Sequence, residues 1–148
     1  DHDDKAINDA KDNFSNYSTI KILKADATKL SFEDKTFDFV ICMTTFANFA
    51  DKKFIILEEI KRVLKDSGNI VISVFSEDAL AERMKVYEIL GVKIKEISNG
   101  KVIFDESLGD NVSEQFSREQ LENIFSQANL TLIDITKVGI AYLCTLSK

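Results

Sequence analysis

An α/β fold is the class this sequence predicts, and three observations predict it. Apolar segments of strand length alternate with segments of helical spacing, which argues for a sheet with parallel, right-handed crossovers. The run at 37–43 is almost continuously apolar, as a strand covered on both faces is. The last two apolar segments, 130–137 and 140–147, are joined only by Val138 and Gly139, a link short enough for an antiparallel pair at one edge.

Each element can be justified in order. Residues 3–13 read as a helix: Ala6, Ile7 and Ala10 share a face, and Asp3 and Asp4 suit the positive end of its dipole. Residues 18–24, with Ile20 and Ile22, read as a short strand. After the strand at 37–43, Asp51 is placed to cap a helix in which Phe54, Leu57, Ile60 and Leu64 keep helical spacing, and Ser67-Gly68 stops it. Residues 69–75 form the next strand, and a helix over 76–90 ends at Gly91. The segments 92–97 and 101–105 flank Ser98-Asn99-Gly100, a hairpin signal. Ser117 opens a capping box with Gln120, and Leu121, Ile124 and Phe125 carry that helix to about Ala128.

Composition narrows the function. A chain of 148 residues is sized for one domain, and its net charge of −6 disfavours a broad nucleic-acid surface without excluding a local basic groove. No apolar run reaches the roughly 18 residues that cross a bilayer, so no membrane partner is expected. With His2 as the single histidine and Cys42 far from Cys144, there is no zinc-type cluster and no metal is expected. Both cysteines lie in apolar runs and read as buried free thiols, consistent with a reducing cytoplasm.

Residues 25–40, Ala-Asp-Ala-Thr-Lys-Leu-Ser-Phe-Glu-Asp-Lys-Thr-Phe-Asp-Phe-Val, resemble the adenine-side loop and fourth strand of class I S-adenosylmethionine-dependent methyltransferases. The run 57–68, with Glu59, Arg62-Val63-Leu64-Lys65 and Gly68, resembles that family's helix end, although Asp66-Ser67-Gly68 stands where relatives carry Pro-Gly-Gly. The resemblance implies a Rossmann-like, doubly wound, mostly parallel sheet with an antiparallel C-terminal hairpin. It also places residues 1–10 just after the family's second strand. The glycine-rich turn and the strands around it have no counterpart here. The expectation is therefore that residues 1–148 are the C-terminal two-thirds or more of a single methyltransferase domain, with roughly 40–60 further residues before them, about two short strands and a helix. Residues 76–116 are expected to be an inserted helix and hairpin that bind the acceptor. The absence of proline excludes the proline-containing motif of amino-methylating DNA enzymes.

The same resemblance assigns roles. Asp1 would hold the ribose hydroxyls and His2 would lie beside the adenine. Asp26 would accept from the adenine amino group, with the Ala27 amide on a ring nitrogen. Met43 and Thr44 would approach the methionine part, beyond the carboxyl end of the strand where such sheets bind ligands. Leu30 and Phe32 either wall the adenine or pack the loop. Asn48 orients the acceptor or caps the next helix. Arg83 and Tyr87 are acceptor-binding candidates, with Glu114, Phe116 and Tyr142 behind them. No residue stands out as a general base. The function implied is methyl transfer from S-adenosylmethionine, releasing S-adenosylhomocysteine; the acidic charge and short hairpin favour a small-molecule acceptor over nucleic acid, and an acceptor on a protein or tRNA stays open. A homo-oligomer stays open. The alternatives are a catalytically inactive cofactor-binding or assembly module and a structural domain without cofactor.

Overall fold

The computed structural model describes residues 3–109 and 111–148. Helix α1 (Asp4–Asn13) is capped by Asp3, whose carboxylate accepts from the Ala6 amide at 2.9 Å. Strand β1 (Phe37–Cys42) leads through two 3-10 turns, Phe46–Asn48 and Ala50–Lys52, into α2 (Lys53–Val63). Strand β2 (Leu64–Ser76) is followed by α3 (Leu80–Ile89), a hairpin of β3 (Ile94–Ser98) and β4 (Lys101–Phe104), and β5 (Val112–Phe116). Helix α4 (Arg118–Gln127), β6 (Thr131–Val138) and β7 (Ala141–Ser147) complete the order.

Strand β2 organises the sheet. One edge runs parallel to β1, from Phe39 opposite Asn69 to Cys42 opposite Ile72, and then meets β5 at Phe75 and Ser76. The other edge pairs with β7 antiparallel from Asn69 to Phe75, and β6 closes beyond β7. The hairpin therefore extends the sheet past the carboxyl end of β1, which positions the site. Ile70, Ile72 and Val74 of β2 cluster with Ile56, Leu57 and Ile60 of α2 and with Leu121 and Phe125 of α4. Each such side chain contributes about 1.5–3 kcal/mol by burial.

The α/β class, the α1 cap, the Asn99-Gly100 turn and the Ser117–Gln120 capping box all stand as the sequence indicates. The C-terminal strands form the antiparallel pair, while the parallel part of the described sheet is confined to β1, β2 and β5.

Three expectations change. Residues 18–24 form no strand: no described strand runs beside them to pair their backbone, Ile20 and Leu23 are exposed, and an isolated Asp26–Lys29 bridge follows. Asp51 does not cap α2, because it sits inside the second 3-10 turn and the helix begins after Lys52 without a side-chain cap. Helix α2 also ends at Val63, four residues before Ser67-Gly68, and Leu64 is already extended. Strand β5 was not anticipated, since Ser113-Glu114-Gln115 hides its alternation behind three polar residues.

Between Phe37–Leu64 and Phe39–Asn69 the register jumps, so residues 65–68 bulge out of the ladder. Buried Gly68 permits this: a β-carbon there would lie 2.7 Å from the Asp38 carbonyl oxygen and 2.6 Å from a Leu64 methyl. Because the carbonyl belongs to the paired strand, relief requires backbone movement. Gly68→Ala should cost about 1–3 kcal/mol, read as a lower urea midpoint with an unchanged slope.

Candidate functional site

The loop 25–36 is a short chain of turns fastened to α2. The Asp26 carboxylate accepts from the Thr28 amide and the Thr28 hydroxyl, both at 2.8 Å, which shapes a tight Asx turn. Beyond it, Arg62 holds the loop from the last turn of α2. Its Nη1 donates to the Phe32 carbonyl at 2.7 Å and to Asp34 at 2.9 Å. Its Nη2 donates to the Leu30 carbonyl and to Glu59, and its Nε to Glu59, each at 2.9 Å. All five guanidinium N–H groups are thereby matched. Glu59 takes a further bond from the Leu30 amide at 2.8 Å. Arg62, first, and that amide hold the Glu59 carboxyl down to about 2.

At the carboxyl end of β1 the chain turns sharply. Thr44 has φ +55°, a left-handed conformation unusual for a β-branched residue, and its amide donates to the buried Ser73 hydroxyl at 2.8 Å. The Thr44 and Thr45 hydroxyls both donate to the Met43 carbonyl. Phe46 is fully buried and stacks edge-on with Phe49 at 5.7 Å, which fixes the 3-10 turn that presents Asn48.

These pieces enclose a cavity of about 730 Å³. Ala25, Ala27 and Leu30 line its loop end, with Ile56 and Ile60 of α2. Residues 40–42 of β1 and Met43 just beyond it form its floor, and Thr45, Asn48, Phe49, Phe104, Leu108 and Asn111 line the far end. Burial pushes the Cys42 thiol up to about 11, so it stays protonated at neutral pH. A smaller depression of about 310 Å³ lies around Lys53, Lys101 and Glu114. There the buried Glu114 carboxylate is paired with Lys53 and, at 2.9 Å, with Lys101.

The structure brings several of the sequence-derived candidates together. Ala27, Met43 and Asn48 line the cavity, and Asp26 sits between two alanines that do. Asn48 caps no helix, since α2 begins at Lys53. Thr44 is the strained residue of the turn rather than part of the wall. Arg83 and Tyr87 stand behind the wall. Tyr87 packs edge-on against Phe104 at 5.4 Å, and buried Arg83 lies over the Phe75 ring at 4.3 Å. The Arg83 guanidinium reaches Ser113 O, Tyr87 Oη and Gln115 Oε1 at 3.2–3.4 Å, while its Nε has no partner among the described residues. Glu114 belongs to the ion pairs, Phe116 to the core, and Tyr142 donates to Glu77 at 3.2 Å. Asp1 and His2 lie outside the described residues. Phe104, Leu108 and Asn111 are wall residues the sequence reading did not single out. Only the apolar alternation of 101–104 hinted at one of them, because the rest lie in turns.

A strand-end loop, a turn beyond a parallel strand and the antiparallel β7–β6 hairpin are the architecture expected from the resemblance. Residues 1–72 match the family described as the methyltransferase domain. Over that stretch, just under half of its length, the chain is similar to that family. A solved structure of a Pyrococcus horikoshii protein is 27% identical, with a TM-score of 0.76 over 99% of this chain and 68% of that one. The fold also matches a Burkholderia thailandensis 1,6-didemethyltoxoflavin-N1-methyltransferase solved with S-adenosylhomocysteine (17% identical, TM-score 0.69, 94% of this chain and 56% of that one). Among curated proteins, the ubiquinone/menaquinone biosynthesis C-methyltransferase of Idiomarina loihiensis is 28% identical over 120 residues, 78% of this chain and 47% of that protein. The chain spans between 31% and 47% of the length of the curated relatives it matches.

The Arg62–Glu59 pair makes a pH-dependent prediction. Glu59 is depressed from 4.5 to about 2, so its stabilisation is complete above pH 4.5 and is lost as pH falls toward 2. The stability gap between the natural chain and Glu59→Gln should hold steady above pH 4.5 and close below it, in chemical denaturation at each pH. Arg62→Met should also raise amide exchange across residues 30–34 by at least about tenfold, with smaller changes in β6 and β7.

Proposed function

We propose that this domain transfers a methyl group from S-adenosylmethionine to a small-molecule acceptor. The observation that carries the reading is the single cavity shared by the 25–30 loop and the 3-10 turn beyond β1, at the carboxyl end of a parallel strand. The family match supports the cofactor. Its site also fits: small Ala25 and Ala27 flank the Asp26 carboxylate, leaving room for a flat ring against Leu30 and Ile56.

In this reading Asp26 accepts from the adenine amino group, the Ala27 amide faces a ring nitrogen, and Met43 borders the methionine part. Asp1 and His2 remain the ribose and adenine contacts that the resemblance implies. S-adenosylmethionine supplies a methyl group on a cationic sulfur, displaced in line by an acceptor lone pair with the bond's electrons leaving on sulfur. The chain's contribution is placement. Ser73 and the strained Thr44 turn fix where Met43 ends and Asn48 begins, and alignment of this kind supplies about 7–11 kcal/mol in favourable cases. No described wall residue is placed to take a proton at neutral pH, so the acceptor's proton passes to water. Residues 76–116 supply the acceptor end through Phe104, Leu108 and Asn111, while Arg83 and Tyr87 position Phe104 from behind.

The free thiols Cys42 and Cys144 support a reducing, cytoplasmic setting. No helix among the described residues is long and apolar enough to cross a membrane.

Calorimetric titration with S-adenosylhomocysteine tests the cofactor: one saturable site is expected. Asp26→Ala should weaken it about tenfold, the scale of one hydrogen bond to a charged group, while Asp26→Asn, which keeps an acceptor oxygen, should lose less. Unchanged affinity in Asp26→Ala overturns the adenine assignment. Saturable binding with no turnover across a broad acceptor screen would favour the inactive module instead.

A further inference from the structure

The cavity wall is most informative in what it leaves out. In a chain of which 30% is Asp, Glu, Lys or Arg, none of the fifteen described lining residues is one of these. Two charges close to the far end, among the described residues, are engaged elsewhere. Glu114 is neutralised by Lys53 and Lys101 in the neighbouring depression, and Arg83 is sequestered behind Phe104 among neutral partners. A charged ligand entering here would give up hydration without meeting a counter-charge.

What the far end does offer is apolar surface and two amides. Phe49, Phe104 and Leu108 present rings and an aliphatic side chain. Asn111 is held by its Nδ2 donating to the Leu108 carbonyl at 2.7 Å, which leaves its amide oxygen as an acceptor. Asn48 makes no side-chain hydrogen bond within the described residues, so both its donor and its acceptor remain available. Aromatic walls with a few placed amides select flat, neutral ligands by contact area and orient them by hydrogen bonds.

We propose that the far end of this cavity takes an uncharged aromatic acceptor, its rings packed against Phe49, Phe104 and Leu108 and its polar groups read by Asn48 and Asn111. The word acceptor rests on the methyl-transfer reading above; the selection of a neutral aromatic ligand rests on the wall alone.

The test is a matched pair of probes, 2-naphthamide and 2-naphthoate, titrated into the intact protein saturated with S-adenosylhomocysteine and again without it. The neutral amide should bind at least about tenfold more tightly than the carboxylate, the minimum expected for an unpaired buried charge. Leu108 is 43% exposed on its 3-10 turn, so Leu108→Glu should fold normally, checked by its unfolding midpoint. It should weaken 2-naphthamide by a similar factor. Equal or tighter binding of 2-naphthoate, binding of neither probe, or an unaltered affinity in Leu108→Glu overturns the proposal. Failure of S-adenosylhomocysteine to bind, with the naphthamide preference intact, would remove the cofactor reading and leave this one standing.

Discussion

Arg62 is the interaction on which the site depends. A guanidinium at the end of α2 gathers two carbonyls and a carboxylate from the 30–34 loop while Glu59, one turn earlier, orients it and takes the Leu30 amide. The backbone continues the same joint, since the Lys35 and Thr36 amides donate to the Arg62 and Val63 carbonyls at 2.8 Å. Loop, helix end and the start of β1 are thus one fastening. Without it, the Ala25–Leu30 wall of the cavity would have only the local Asp26 turn to hold its shape. The pair is partly exposed, with 30% of the Arg62 and 19% of the Glu59 side chain accessible, so its worth lies in geometry more than in raw Coulomb energy.

A second constraint comes from β2, which must satisfy backbone partners on both edges along thirteen residues. One edge is shared in sequence by β1 and then β5, and that hand-over opens space where β1 stops. The Thr44 turn lies at the hand-over. A non-glycine residue at positive φ costs about 1–2 kcal/mol, and the buried Ser73 hydroxyl partly offsets this by binding the Thr44 amide. Backbone strain therefore sits where the chain leaves the strand and enters the cavity rim, and β2 itself carries the group that holds it there.

What the sequence revealed follows from what local chemistry can encode. Asp3, Ser117-Gln120 and Asn99-Gly100 are decided within four residues, so caps and turn were readable. The alternation of β6 and β7 was readable for the same reason; the run of β1 marked a strand, but Phe39 and Ile41 are exposed, so it is not covered on both faces as its apolar run suggested. Residues 18–24 carry strand-like residues, but a strand also needs a ladder partner, which no local pattern supplies. Strand β5 shows the converse. Its Ser-Glu-Gln centre looks like a loop, yet Glu114 is buried because Lys53, sixty-one residues away, reaches it. The site divided along the same line. Ala27, Met43 and Asn48 were legible because a resemblance of the loop and strand covers them. Phe104, Leu108 and Asn111 join the wall only through the folding back of the hairpin, and Arg83, a polar residue in an exposed-looking helix, turned inward onto Phe75.

That inward turn helps leave the far end of the cavity without a charged side chain among the described residues. Burying Arg83 without a carboxylate is costly, and its contacts are long hydrogen bonds and ring faces rather than an ion pair. The arrangement holds because Arg83 ties three elements together: α3 through Tyr87, β5 through Ser113 and Gln115, and β2 through Phe75. Tyr87 in turn braces Phe104. Glu114, on the same strand, faces the opposite way into Lys53 and Lys101. Strand β5 thus engages Arg83 through Ser113 and Gln115, while Glu114 between them is held by Lys53 and Lys101. The hairpin end of the cavity and the Arg62 joint share β1 and β2 but, among the described residues, no hydrogen bond.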